Sequence, residues 1–337
     1  MDAYLKAISY YLPEQVLTNE DINKSFPEWS IDKISSKTGI YQRHISAEDE
    51  FTSDMAVKVA LQLFHEHSIK ASDIDFVLLC TQSPDYFLPT TACILQDRLG
   101  IPTSAGALDY NLGCSGYVYG LALAKGLICG GMAKNILLIT SETYTKFIHP
   151  KDKSNRTIFG DAASASLITA EPTNFKINEF VFGTDGKGAE NLIVKYGATK
   201  YPHTKNTSND NTDEFGNVFN HSNLYMNGAE IFNFTLGAVP KLVEQTLQKN
   251  NAALTDIDLF IFHQANQYML NHLRKKLAIP EDKFYIYMKN CGNTVSATIP
   301  IALYHASNDL NMQPGQKILL AGFGVGYSWA GTTLSKI

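Results

Sequence analysis

The chain has 337 residues, of which 45% are hydrophobic, and its formal net charge at pH 7 is -5. That length suffices for one large domain or two ordinary ones with a sizeable core. The mild negative charge argues against a general affinity for nucleic acid. No apolar run approaches the length of a membrane span, and the first residues do not resemble a signal peptide. We therefore expect a cytoplasmic protein that is not inserted into a membrane.

Short apolar runs alternate with amphipathic stretches along the chain. The runs 76–79 and 136–139 have the length and composition of buried strands. Strands that alternate with helices form parallel-rich sheets covered by helical layers, so we predict an α/β fold. The segment 196–223 breaks the pattern because it is rich in Asn, Thr, Ser, Asp and His. We expect it to be an exposed or mobile insertion and a candidate cover for a binding site.

Four pairs of similar segments occur in the same order in the two parts of the chain, which indicates a diverged internal repeat. The paired segments are 72–80 with 255–263, 99–102 with 277–280, 113–114 with 292–293, and 135–139 with 317–321. We predict two similar halves, 1–170 and 171–337, which pack as a pseudo-symmetric pair. A pseudo-twofold axis would bring equivalent turns of the two halves together.

The five cysteines are scattered and none has CxxC spacing, so a zinc site or a redox dithiol is a poor interpretation. Cys114 lies in a glycine-flanked turn between a strand-like run, 107–112, and a helix-like run, 115–124. At the start of a helix the dipole and the free amides favour a thiolate, so we expect the pKa of this thiol to be lowered. The alternative is an inert thiol buried in a turn.

His263 ends the apolar run 259–262, and Asn293 follows a glycine in a turn. Each has an ordinary structural alternative, because a backbone carbonyl can satisfy a buried histidine and Asn after Gly is common in turns. The repeat favours a functional interpretation, since the turns of Asn293 and Cys114 are equivalent. A thiol, an imidazole and an amide can together carry an acyl group and stabilise an oxyanion. The glycine-dense segment 322–329 would let backbone amides approach that oxyanion, or would form a tight turn between strands.

Taken together, these segments resemble the β-ketoacyl-acyl-carrier-protein synthase III family of the thiolase superfamily. The resemblance extends over essentially the whole chain and includes Trp29 and the segments 37–40, 43–44, 159–163 and 226–232. It implies a thiolase fold with duplicated halves in a five-layer αβαβα arrangement, a homodimer, and no metal or other cofactor. It also implies that the catalytic residues are Cys114, His263 and Asn293.

The resemblance implies a reaction in two stages. Cys114 takes an acyl group from acyl-CoA, and malonyl-acyl carrier protein then enters. His263 and Asn293 donate hydrogen bonds to the malonyl thioester oxygen, and the enolate left by loss of carbon dioxide attacks the acyl-cysteine. The backbone amides of Cys114 and Val325 form the oxyanion hole.

The same resemblance assigns further positions to the binding of substrates and of carrier protein. The substrate-binding positions are Trp29, Lys37, Lys153, Leu88 and Asn266. Among these, Leu88 corresponds to a position at the floor of the acyl pocket that is contributed across the dimer. The basic run Arg274, Lys275 and Lys276 is expected to dock an acidic carrier protein, and a solvated basic face is its alternative.

The chain departs from housekeeping members of the family at several positions. Val325 replaces the usual glycine, and Tyr268 replaces an arginine that contacts the carrier protein. Lys37 and Lys153 replace arginines at the CoA entrance. We therefore expect a specialised relative that serves a secondary-metabolite or cell-surface glycan pathway rather than bulk fatty-acid initiation.

Three other functions remain open from the sequence. A papain-like protease also orders its residues Cys, His and Asn, but the signature around its cysteine is missing here. A non-catalytic acyl-carrier-binding subunit would have no need of all three side chains. An acyltransferase that passes the acyl group to an amine, a hydroxyl or a sugar without decarboxylation would keep them.

Overall fold

The structure is a computed structural model that describes residues 2–204, 207, 209–213 and 216–337. Its strands are β1 (Tyr4–Tyr11), β2 (Gln15–Thr18), β3 (Gln42–Ile45), β4 (Phe76–Cys80), β5 (Gly106–Tyr110), β6 (Asn135–Glu142), β7 (Ala162–Thr169), β8 (Phe175–Thr184), β9 (Leu192–Val194), β10 (Asn211–Thr212), β11 (Val218–Phe219), β12 (Leu224–Met226), β13 (Leu259–Phe262), β14 (Lys317–Gly324) and β15 (Ser328–Lys336). Its helices are α1 (Asn19–Ser25), α2 (Ile31–Thr38), α3 (Thr52–Glu66), α4 (Thr91–Arg98), α5 (Gly116–Cys129), α6 (Lys153–Arg156), α7 (Gly228–Lys249), α8 (Gln267–Lys276) and α9 (Thr298–Asp309).

The largest sheet has the strand order β13-β14-β15-β8-β1-β7-β6-β4-β5. It consists of two sets of strands joined by a short antiparallel contact between β1 and β8. In the first set β4 is parallel to β5 and β6, and β7 is antiparallel to β6 and β1. In the second set β13 is parallel to β14, and β15 is antiparallel to β14 and β8. The buried strands predicted at 76–79 and 136–139 are confirmed as β4 and β6.

In the second set, the counterpart of β5 is reduced to a single isolated β-bridge. Phe284 forms a parallel bridge with Phe260, and Tyr285 donates its N–H to the Phe260 carbonyl over 3.0 Å. With this bridge, the two sets follow the same order and the same strand directions. The predicted boundary near residue 170 falls between β7 and β8 and stays a prediction.

Helices cover both strand sets on both faces. Tyr117 of α5 and Leu303 of α9 share one buried cluster with Leu138 of the first set and Ile261 of the second. Helices α3 and α4 pack on the outer face of the first set, and α7 and α8 pack on the outer face of the second. The predicted five-layer αβαβα arrangement is therefore present. Helices α5 and α9 form its middle layer, so the turns before them, which carry Cys114 and Asn293, lie between the two strand sets.

The insertion 196–223 lies against the segment that precedes and includes α6. Asp210 is 3.3 Å from His149 Nε2, and Ser154 Oγ donates to Asn217 Oδ1 over 3.2 Å. Strands β10 and β11 form a two-stranded hairpin within it. The parts of this insertion at 205, 206, 208, 214 and 215 lie outside the described residues. In the part of the chain that the structure describes, no helix is long and apolar enough to cross a membrane.

Candidate active site

Cys114 lies at the turn between β5 and α5 and is 7% exposed. The end of β14 passes directly over it. A Cβ atom at Gly324 would lie only 2.6 Å from the Cys114 sulfur, so this position requires glycine. The close approach places the N–H of the following residue, Val325, within hydrogen-bond reach of the thiol. The glycine-dense segment is therefore a tight connection between β14 and β15 that also brings a backbone amide to the sulfur.

The electrostatic environment of Cys114 differs from the prediction made from the sequence. Burial raises the pKa of the thiol to about 12, and the backbone amides of Val325 and of Cys114 itself lower that pKa only in part. The lowering of this pKa that was expected at the start of a helix is wrong. The loss of hydration around a fully enclosed thiolate outweighs the favourable amides, and this enclosure is created by β14, which is distant in sequence.

His263 follows β13 and is 2% exposed. The backbone N–H of His263 donates to the carbonyl of Ala321 in β14 over 2.8 Å, which continues the parallel pairing of the two strands. Its ring nitrogen Nδ1 is 2.7 Å from Thr298 Oγ1. Burial lowers the pKa of the imidazole to about 3, so the ring is neutral at working pH. Because Nδ1 faces Thr298, Nε2 is the nitrogen left for a substrate.

Asn293 is held by backbone on both sides. Its N–H donates to Ile158 over 2.9 Å, and its carbonyl accepts from Gly160 over 3.1 Å. Its side-chain Oδ1 accepts the N–H of Val295 over 2.9 Å. Gly292, with φ of +74°, provides the left-handed turn that this placement needs. Since Oδ1 is engaged, Nδ2 is the group that Asn293 can offer as a donor.

The end of β14 and the turn that contains Asn293 and Val295 relate the positions of the three side chains to one another. β14 pairs with the backbone of His263 through Ala321 and covers Cys114 with Gly324. Val325 packs against the apolar cluster that contains Val295. The structure therefore places the predicted thiol, imidazole and amide around the carboxyl end of β14, between the two strand sets.

An apolar wall extends from this point into the protein. Val325 and Val295 belong to an apolar cluster whose other large side chains are Tyr144, Ile148, Phe159, Leu192 and Leu224. Phe159 also forms a bridge with Asn293 through the backbone. An acyl chain carried by Cys114 would find an apolar surface here.

A buried carboxyl group that the sequence analysis did not identify helps to hold the turn that carries Asn293. Glu142, at the end of β6, accepts hydrogen bonds from Ser296 Oγ over 2.7 Å and from the N–H of Gln82 over 3.0 Å. Burial raises its pKa to about 8. Because Ser296 lies in the turn after Asn293, Glu142 anchors that turn to the first half of the chain. Its position at a strand end was the only signal in the sequence.

The candidate CoA entrance lies near Trp29, which is half-buried. Lys153 Nζ forms an ion pair with Glu28 Oε1 at 2.6 Å and also lies beside the insertion at Gly216. Lys37, in the last turn of α2, is exposed. The structure thus pairs Lys153 with the sequence neighbour of Trp29 and places it against the insertion.

Helix α8 carries the predicted carrier-docking residues at the end away from His263. Arg274 turns back to form an ion pair with Glu281 at 3.1 Å, and Lys276 Nζ donates to the Leu236 carbonyl over 2.8 Å. The Lys275 side chain is exposed and has no hydrogen-bond or ion-pair partner among the described residues. It follows Gln267 by eight residues, which is about 12 Å along the helix axis. Two of the three basic side chains are therefore already engaged in contacts within the chain, which the sequence did not indicate.

The structure shows the surroundings of two further predicted binding residues. Asn266 is the N-cap of α8, and its side chain accepts the N–H of Met269 over 2.9 Å. Leu88 is 83% exposed on the loop before α4. Asn266 has an evident structural role, and Leu88 lines no part of the apolar wall within its own chain.

Comparison with known proteins agrees with this architecture. Residues 108–186 match the family model for 3-oxoacyl-[acyl-carrier-protein] synthase III, and residues 247–336 match the model for its C-terminal part. A β-ketoacyl-[acyl-carrier-protein] synthase III of Clostridium perfringens is 36% identical over 336 residues, which cover 100% of this chain and 99% of that protein.

Solved structures are similar over the whole chain as well. A crystal structure of a 3-oxoacyl-(acyl-carrier-protein) synthase III shares 50% identity and superposes with a TM-score of 0.96, with full coverage of both chains. The 3-oxoacyl-(acyl-carrier-protein) synthase of Burkholderia xenovorans shares 34% identity at a TM-score of 0.90, covering 100% of this chain and 94% of that one. The thiolase fold predicted from the sequence is confirmed, and the chain is an acyltransferase that belongs to the β-ketoacyl-[acyl-carrier-protein] synthase III family.

Proposed function

We propose that the protein loads an acyl group from acyl-CoA onto Cys114 and then condenses it with malonyl-acyl carrier protein to give a β-ketoacyl product. The observation that carries this proposal is the arrangement at the end of β14. There, Gly324 closely covers the enclosed Cys114 thiol, Ala321 pairs with the backbone of His263, whose imidazole is neutral, and the Val295 N–H orients the Asn293 carboxamide. The family membership supports the same reaction.

The loading step uses the thiol and the backbone amides. The Cys114 sulfur bonds to the thioester carbonyl carbon of acyl-CoA, and the oxyanion rests on the amides of Cys114 and Val325. The bond from that carbon to the CoA sulfur then breaks. Because the free thiol is protonated at neutral pH, its proton must leave as the new bond forms, and the departing CoA thiolate receives it.

The condensation step uses the two donors. His263 Nε2–H and Asn293 Nδ2–H hydrogen-bond to the malonyl thioester oxygen, so that the negative charge developing there is stabilised as the carboxylate leaves as carbon dioxide. The resulting enolate carbon attacks the acyl-Cys114 carbonyl, and the cysteine thiolate departs and takes a proton from solvent. Loss of carbon dioxide drives the reaction, so the proposal requires no metal or redox cofactor.

The active form that we propose is a homodimer. β5 is an edge strand that pairs only with β4 among the described residues, and its Leu108 is 45% exposed. Phe87 and Leu88 on the neighbouring loop are 85% and 83% exposed. An unpaired apolar edge beside exposed aromatic and aliphatic side chains is suited to a second copy of the chain. Leu88 would then reach the partner's acyl pocket, as the family resemblance implies.

The surroundings of the site support acyl-CoA and acyl carrier protein as the two partners. Lys153 pairs with Glu28, the sequence neighbour of Trp29, and the exposed Lys37 and Lys275 offer positive charges to CoA and to an acidic carrier protein. Val325, Tyr268 and the two lysines at the entrance are the basis for proposing a specialised pathway. A cytoplasmic location remains a prediction.

Intact-protein mass spectrometry after incubation with a panel of acyl-CoA thioesters tests the proposal and identifies the preferred acyl group. We expect one acyl adduct on Cys114, followed by its loss with release of carbon dioxide when malonyl-acyl carrier protein is added. An adduct that is transferred to an amine, hydroxyl or sugar without carbon dioxide would favour the non-decarboxylating alternative. Absence of any adduct would favour a non-catalytic subunit, and thiol-sensitive peptide hydrolysis would favour a protease.

A further inference from the structure

Thr298 is the first residue of α9, and its side chain contacts the ring nitrogen of His263 opposite the one that faces the substrate. The Thr298 hydroxyl oxygen is 2.7 Å from His263 Nδ1 and 3.1 Å from the carbonyl oxygen of Val295. Thr298 and His263 are each 2% exposed. The hydroxyl has one proton and two acceptors within reach, so its orientation has chemical consequences.

A neutral imidazole carries one N–H, and its position follows from what the other nitrogen contacts. If the Thr298 proton pointed to Val295, its oxygen would accept a hydrogen bond from Nδ1–H. Nε2 would then be a bare lone pair that repels a thioester oxygen. If Thr298 donates to Nδ1, the proton of the ring lies on Nε2, which can then donate. Only the second arrangement supplies the hydrogen bond that decarboxylation needs.

The distances favour the second arrangement. The contact with His263 is shorter than the contact with Val295 by 0.4 Å, the difference between the 3.1 and 2.7 Å separations. An imidazole nitrogen is also a more basic acceptor than a peptide carbonyl. We propose that Thr298 is a positioning residue that holds His263 in the tautomer with its proton on Nε2. This inference rests on the proposed condensation reaction.

The same turn orients the second donor. The Val295 N–H engages Asn293 Oδ1, and Val295 has φ of +57°, a left-handed conformation that non-glycine residues seldom adopt. Asn293 therefore presents Nδ2–H because of the backbone of Val295, and His263 presents Nε2–H because of the side chain of Thr298. One short segment, 293–298, thus orients both hydrogen-bond donors of the proposed condensation.

The kinetic test uses Thr298→Val, Thr298→Ser and a matched control. Thr298→Val keeps the shape of the side chain and removes the hydroxyl, and Thr298→Ser restores the hydroxyl. Thr246→Val removes a similarly buried helical hydroxyl whose one hydrogen bond among the described residues goes to the Leu242 carbonyl. We expect Thr298→Val to lower malonyl decarboxylation on the order of a hundredfold, the usual effect of losing one preorganised donor. Acyl loading should change little, and Thr298→Ser and Thr246→Val should stay near the wild-type rate of carbon dioxide release.

A spectroscopic test does not depend on turnover. In protein labelled with ¹⁵N-histidine, the His263 resonances are identified by their loss in His263→Gln, and their shifts report which nitrogen carries the proton. We expect protonated Nε2 in the wild type and a mixture of tautomers in Thr298→Val. A wild-type spectrum with the proton on Nδ1, or an undiminished decarboxylation rate in Thr298→Val, would overturn the inference. A wild-type protein that releases no carbon dioxide would instead contradict the proposed function, and the spectrum would still decide the role of Thr298.

Discussion

The reaction centre and the entrance surface of this protein are built in different ways. Cys114, His263 and Asn293 are each at most 7% exposed, and contacts with backbone groups and with the Thr298 side chain hold them in place. The charged groups of the entrance and of α8 are carried on long side chains near solvent, and two of them form ion pairs with Glu28 and Glu281. Burial therefore controls protonation in the centre, whereas solvent and salt weaken every charge at the surface.

This difference indicates where single substitutions should have large effects. In the centre, one atom lost from a preorganised set removes an interaction that water cannot replace. At the surface, the loss of one charge leaves several others, and each exposed pair contributes little. The predictions that follow test this contrast, beginning with the largest expected effect.

Cys114→Ala should abolish acyl loading while the protein stays folded. The substitution removes the only atom that we propose as the nucleophile, and it takes away one heavy atom from a turn held by glycines and by backbone hydrogen bonds. Intact mass after incubation with acyl-CoA measures the loading, and circular dichroism checks the fold. A stable adduct on the Ala variant would show that another group is the nucleophile.

Asn293→Ala and His263→Ala should each reduce carbon dioxide release by on the order of a hundredfold or more, because each removes one donor to the developing enolate. Loading of Cys114 should fall much less, since the proposed loading step relies on backbone amides. Single-turnover assays separate the two steps: acyl transfer is followed by mass, and decarboxylation by release of labelled carbon dioxide. Equal losses in both steps would contradict the assigned division of roles.

The reactivity of the free Cys114 thiol should rise with pH across the neutral range. Burial raises its pKa to about 12, so the thiolate fraction should increase about tenfold for each pH unit between pH 7 and 9. Alkylation with iodoacetamide, followed on the peptide that contains Cys114, measures this rise. A rate that levels off near neutral pH would mean that the start of α5 outweighs burial after all.

Lys275→Glu should weaken the binding of carrier protein by a few-fold, mainly through slower association, and added salt should mimic the change. Arg274→Glu should have a smaller effect, because Arg274 is already paired with Glu281. Lys134→Glu is a matched control. This exposed lysine precedes β6 and so lies at the amino ends of the parallel strands, whereas Cys114 lies at their carboxyl ends. Surface plasmon resonance with the cognate carrier protein measures all three, and unchanged association of Lys275→Glu would mark the basic run as a solvated face.

The sequence by itself determined the class of fold and the turns and strand ends that carry the candidate site residues. Apolar runs marked β4 and β6 because a strand buried on both faces must be apolar throughout. Glycines marked the turns before α5 and α9, where the backbone needs tight bends or close contacts. The order of repeated segments indicated the duplication, since two similar halves require similar patterns of strands and helices.

Only the tertiary structure decided how these groups behave. The pKa of Cys114 depends on its enclosure by β14, and the orientation of His263 depends on Thr298, a residue 35 positions away in the chain. Glu142 meets Ser296 only after the two halves pack together. Desolvation and long-range hydrogen bonds exist only where distant segments come into contact, so local sequence patterns carry no direct record of them.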